Sequence, residues 1–120
     1  MTMKFRVIKP KDPPAIAKIT VQRTGKIGFS KGAMDLLDLE TNKFAKFAFD
    51  DSDDFYILMF EESDEETFNV AKAGEYNYIN AKSLLEDLDI DYTSEDTTIF
   101  DIRKTDDKNV YKLNKRVIKK

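Results

Sequence analysis

The feature that most restricts how this chain can fold is a pattern that occurs twice. Residues 19–29 (ITVQRTGKIGF) lie over residues 68–78 (FNVAKAGEYNY) without a gap, matching Val21 with Val70, Arg23 with Lys72, Gly25 with Gly74 and Phe29 with Tyr78. One inserted residue at Ile79 then sets Ser30 against Asn80, both residue types that cap helix N-termini. A second insertion brings Met34, Leu37 and Leu39 over Leu85, Leu88 and Ile90. Self-similarity at this spacing predicts an internally duplicated unit.

The first copy reads clearly. Ala17, Ile19 and Val21 alternate with Lys18, Thr20 and Gln22, the period of a half-buried strand. Residues 23–26 (RTGK) form a tight turn around Gly25, and Ile27 and Phe29 carry the apolar face back along a returning strand. Ser30 then caps a short helix whose apolar stripe is Ala33, Met34 and Leu37, with Leu36 beside it. Gly32 in its first turn costs about 1 kcal/mol relative to Ala, so packing must hold this helix. Residues 43–49 (KFAKFAF) are a strand with Ala45, Phe47 and Phe49 on one face. Residues 50–54 form a polar hairpin loop, and residues 55–60 (FYILMF), apolar on both faces, read as a central strand buried on each side.

The second copy repeats the order, with a helix from Asn80 to Leu88, strands over 97–103 and 110–117, and a polar turn over 105–109. Each half is thus a β-β-α-β-β unit that can neither pair its own strand edges nor cover its apolar faces. Two together can, and the expected fold is mainly β: a compact barrel with two short helices and pseudo-twofold symmetry. Residues 1–14 are a basic arm, with 4–9 (KFRVIK) extended and KDPP a rigid loop. Residues 15–120 are one domain made of repeat 1 (15–62) and repeat 2 (66–117), the acidic stretch 61–66 being too short for an interdomain linker.

Composition narrows the chemistry. The 120 residues include no His and no Cys, which removes thiolate and Ser–His nucleophiles and conventional zinc or copper sites. Asp50, Asp51, Asp53, Asp54 and Glu61 echo a calcium loop, but Phe55 stands where its turn glycine belongs, so a plain hairpin is expected. No carboxylate–lysine set falls convincingly on neighbouring strands, and neither an enzyme, a metal nor a cofactor is expected. Cytoplasmic residence is the expectation, with no membrane-spanning stretch.

The net charge of −3 conceals segregation. Residues 1–31 carry eight Lys/Arg against one acid, residues 32–102 four against twenty, and residues 103–120 eight against two. If the basic ends converge, they would grip phosphates; otherwise they only solubilise the core.

The half-unit of turn glycine and basic residue, strand, capping position, short helix and hairpin resembles the AbrB/SpoVT/MazE class of swapped-hairpin barrels. The match is close over residues 15–62 and looser over 66–117. Members of that class usually dimerise to complete the barrel, so the resemblance implies a single-chain pseudo-dimer, itself a monomer or homodimer. It further implies a non-enzymatic DNA-binding regulator or antitoxin-like element. Basic residues around the turn and early helix meet DNA in that class, which by position selects Arg23, Lys26 and Lys31. Lys18 on the polar face of the first strand and Lys115 and Arg116 of the basic C-terminal end complete the candidate set. The chain departs from the pattern in having Ser30 where proline is common, Met34 and Asp35 on the helix, and Glu75 after the second turn glycine, which makes a symmetric grip lopsided.

Two other readings arise. Residues 43–88 resemble half of a Whirly or Pur-alpha type single-strand binder, with KFAKFAF, Tyr76 and Tyr78 as a stacking platform rather than core. Alternatively, the acidic middle docks a basic protein partner.

Overall fold

The computed structural model describes Lys4, Arg6 and residues 17–119. The arm and rigid loop expected over residues 1–14 lie outside these, apart from Lys4 and Arg6, which are exposed. Nine strands and two helices follow in the order β1 (Lys18–Val21), β2 (Lys26–Phe29), α1 (Lys31–Leu36), β3 (Phe44–Phe49), β4 (Phe55–Phe60), β5 (Phe68–Asn69), β6 (Ala71–Ala73), β7 (Tyr76–Asn80), α2 (Lys82–Asp87), β8 (Thr97–Lys104) and β9 (Val110–Ile118).

All nine strands form one antiparallel sheet in the order β5-β3-β4-β9-β8-β1-β2-β7-β6. The sheet curls into a nearly closed barrel because its two edge strands are consecutive in the chain. β5 pairs with β3, β6 pairs with β7, and only Val70 separates them. The Val70 amide donates to the Lys43 carbonyl at 2.9 Å, so the backbone stays bonded while it changes partner. The overlay of 19–29 on 68–78 predicts one continuous strand here, matching β1; the structure divides it, and this division brings the barrel's edges together.

Alternation places one side chain of each pair in the core. Ile19, Ile27, Ile57, Met59 and Ile79 are almost fully buried, and Leu37 and Leu85 from the two helices join them. β4 lies between β3 and β9, as a central strand should, but only Ile57 and Met59 are buried while Tyr56, Leu58 and Phe60 are half-buried. Its second apolar face is the outside of the barrel, with no layer stacked against it among the described elements. Phe47 packs on Phe55 and Phe68, with ring centroids 5.8 and 5.4 Å apart, which assigns the KFAKFAF phenylalanine at that position to the interior.

The Ser30 hydroxyl accepts the Ala33 amide at 3.2 Å and the Lys18 amide at 3.0 Å, so it both caps α1 and ties it to β1. The second cap differs from the expectation. Asn80 ends β7, the cap position of α2 belongs to buried Ala81, and no side chain caps the helix. Both helices nevertheless end alike, at a left-handed aspartate: Asp38 with φ 50° and Asp89 with φ 55°. Asp tolerates this region better than most residues because its short polar side chain bonds locally.

The two glycine turns are built differently. Residues 23–25 form a three-residue loop, closed by Gln22 N–H to the Lys26 carbonyl at 2.8 Å and Gly25 N–H to the Gln22 carbonyl at 3.0 Å, with Gly25 last and at φ 84°. The second is a two-residue loop between the paired residues Ala73 and Tyr76, with Gly74 first and at φ 63°.

Candidate nucleic-acid interface

Strand adjacency brings Lys18 of β1 alongside the basic residues of β8 and β9. β1 lies between β2 and β8, and β8 lies between β1 and β9. On these strands Ile19, Ile27, Phe100, Ile102, Tyr111 and Leu113 point inward, so residues of the other parity point outward. The pairings then lay out rows across the outer face: Lys18 beside Asp101 and Asn114, Gly28 beside Thr20, Ile99 and Arg116, and Arg103 beside Lys112 and Tyr56. Lys26 opposite Asn80 extends the face onto β7.

Across the five strands β9-β8-β1-β2-β7 this face carries Lys18, Lys26, Arg103, Lys112 and Arg116. Among the described strand residues it has a single carboxylate, Asp101. Asp101 accepts from Arg116 Nε at 2.8 Å, with both side chains partly exposed. Lys112 reaches Asp54 at 3.4 Å on the neighbouring hairpin tip. The remaining outward positions are mostly neutral and polar, and Ile99, though outward in register, is buried at 4% exposure.

The expected binding residues are thus divided. Lys18, Lys26 and Arg116 share the face. Arg23 is exposed in the β1–β2 turn at its margin. Lys115 pairs opposite inward-facing Phe100 and lies on the other side of the sheet from Arg116, because neighbours on a strand alternate. It lines a cleft of about 350 Å³ with Asp53, Asp54, Phe55 and Leu88. Lys31 opens α1 and lines a separate cleft of about 860 Å³ between that helix and the β6–β7 turn, among Asp35, Lys72, Glu75 and Tyr76.

Three basic residues outside the expected set belong here. Arg103 and Lys112 follow from the register of β8 with β9, and the alternation of Lys112, Asn114 and Arg116 along β9 was the available signal. Lys82 had no signal in the sequence. The Ala81 amide donates to the Gly25 carbonyl at 2.9 Å, and a β-carbon at Gly25 would collide with Cγ of Lys82. The start of α2 therefore sits on the first turn and sets the stem of Lys82 over Gly25.

Two tyrosines border the face. Tyr76 and Tyr78 point outward from β7 with centroids 6.0 Å apart and planes 17° apart, and Lys26 Nζ lies 4.6 Å from the Tyr78 centroid. The Tyr76 hydroxyl is bonded by the Gln22 side-chain amide and leans over Gly28, where a β-carbon would collide with it. Burial of the ring pushes the Tyr76 phenol above its ordinary pKa, partly offset by the Gln22 bond.

The acidic segments are in the loops at the ends of strands, and the 50–54 tip meets the margin of this face through Lys112. At the 50–54 tip, Asp50 accepts the Ser52 and Asp54 amides at 2.9 and 3.0 Å and the Tyr56 hydroxyl at 2.7 Å, and these bonds, the Tyr56 one foremost, hold its carboxyl below the ordinary range. In the 61–66 stretch, Asp64 pairs with Lys46 at 2.6 Å, which lowers the Asp64 pKa and raises that of Lys46. Among the described residues no group of three or more acidic side chains is arranged to hold a metal ion. Comparison with protein-family models, curated proteins and solved structures returns no match for the chain.

Proposed function

We propose that this protein is a non-enzymatic nucleic-acid-binding barrel that takes phosphates on the outer face of β9-β8-β1-β2-β7, with the turn around Gly25 at its margin. The observation that carries this reading is the set of Lys18, Lys26, Arg103, Lys112 and Arg116 on one sheet face, where Asp101 is the single carboxylate among the described strand residues and Asp54 reaches Lys112 from the neighbouring hairpin tip. Cations so placed bind the phosphate backbone by displacing its counterions, without need of a cleft. A regulator or antitoxin-like role of the AbrB kind belongs to the same reading.

Duplication of a β-β-α-β-β unit is part of it. The strand pairings support this: exchanging the two halves swaps β1–β8 with β5–β3, β1–β2 with β6–β7, and β3–β4 with β8–β9. The pairs β2–β7 and β4–β9 each join a strand to its own counterpart. The helices add support, because Met34 N–H to Ser30 O is matched by Leu85 N–H to Ala81 O, and Leu39 N–H to Met34 O by Ile90 N–H to Leu85 O. Ile27 and Ile79 both point into the core whereas Tyr76 points outward, which favours matching the two isoleucines over matching Ile27 with Tyr76. The second hairpin, from Val70 to Ile79, is longer than the first, from Val21 to Ile27, although its turn is shorter, and a gap-free overlay ends there.

The test is fluorescence anisotropy with labelled duplex and single-stranded DNA at rising KCl. Binding should weaken linearly on logarithmic axes, and replacing Lys18, Lys26 or Arg116 by Ala should each lower the slope by about 1. Absence of binding at low salt refutes the reading and favours a protein partner for the acidic loops.

A further inference from the structure

We infer that Tyr76 and Tyr78 form a base-stacking platform and that the preferred ligand of the basic face is single-stranded nucleic acid. This rests on the phosphate-binding role of that face and deepens it.

A duplex keeps its bases stacked on one another and shows a flat protein face little but phosphate. A single strand turns its bases outward, and aromatic rings beside a cationic track can receive them. The structure supplies both parts in one place. Tyr76 and Tyr78 are outward on β7, adjacent to Lys26 on β2, and they are the paired aromatics next to the cationic rows. Their rings are nearly parallel, and Tyr76 remains 38% exposed.

The ring is also placed rather than free. Gln22 bonds its hydroxyl, and Gly28 beneath it lacks the side chain that would push it away. A ring held in position from two sides loses little conformational freedom when a base settles on it. By contrast, the phenylalanines of β3 stand away from the cationic rows: Phe47 packs between Phe55 and Phe68, and Phe49, though exposed, sets its ring on Phe55 beside the acidic 50–54 tip.

The experiment compares a labelled oligothymidine with a labelled duplex of equal length, using the full chain and the variants Tyr76→Ala, Tyr78→Ala and Tyr76→Phe. Circular dichroism establishes that each variant is folded. Oligothymidine should bind more tightly than duplex, and each Ala variant should weaken it by roughly 5- to 150-fold, with a much smaller effect on duplex affinity. Tyr76→Phe, which keeps the ring, should bind oligothymidine like the parent protein. The inference is overturned if duplex binds as tightly as oligothymidine, or if the Ala variants leave oligothymidine binding intact. If that happens while Lys18→Ala and Arg116→Ala still lower the slope, the phosphate-binding face stands and only the stacking falls. If neither probe binds at low salt, both fall together.

Discussion

Gly25 and Gly74 occupy turns that resemble each other in sequence, yet they meet different demands. Gly25 closes a three-residue loop at φ 84° with the stem of Lys82 lying over it, whereas Gly74 at φ 63° has open space where a β-carbon would be. Both substitutions to Ala carry left-handed strain of ~1–2 kcal/mol. Gly25→Ala must in addition displace Lys82 and the start of α2, so it should lower Tm more than Gly74→Ala in parallel thermal melts. Asp50 offers a second single-residue test. Its pKa in the folded protein is depressed, so its stabilising contribution is present above about pH 3.9, the unfolded value. That contribution is lost as the pH falls through the lower folded value. NMR titration of the side-chain carboxyl should find it below the ordinary carboxylate range, and Tyr56→Phe should move it back up, since the Tyr56 hydroxyl is the first cause of the depression.

At the scale of elements, short-range chemistry was legible and partner choice was not. β1, β2, β3, β4, β8 and β9 lie where alternation put them, and Ser30 caps α1 because a hydroxyl at that position meets the free amide of Ala33. Asn80 was misleading because its residue type suits a cap, while the backbone continues β7 through it to pair with Lys26. Nor does anything in FNVAKA announce that the backbone will leave β3 at Val70 and join β7, since both pieces alternate alike. The caps yield an asymmetric prediction. Ser30→Ala should cost ~1 kcal/mol in denaturant unfolding, with m unchanged. Leu37→Ala, which empties a fully buried site, should cost ~2–5 kcal/mol. The uncapped α2 has no such side-chain bond to lose and depends on Leu85 in the core.

For the molecule as a whole, the charge segregation visible in the sequence becomes a spatial one only through strand order. Lys18 and Arg116 are far apart in the chain, and a reading of the residues alone could not tell that β8 would lie between β1 and β9. The strand expected over 110–117 already sets Lys115 and Arg116 on opposite sides, but which side is the outer one follows only from its pairing with β8. Asp101 sits at the centre of the face and holds Arg116. Asp101→Asn should therefore release that guanidinium and strengthen binding of a DNA probe several-fold, with a steeper salt dependence in the same anisotropy titration.

The pairing scheme has one more implication, for the route from β4 to β5. Within residues 17–60 the described strand pairs are β1–β2 and β3–β4, and these two hairpins do not bond to each other. The first is seated between β8 and β7, the second between β5 and β9. Each half is therefore gripped by the other like interlaced fingers, and the exposed crossing at 61–66 is not what keeps them together. A chain nicked there by a protease should still elute as one particle in gel filtration and come apart only in denaturant, and neither fragment expressed alone should give a sharp melting transition.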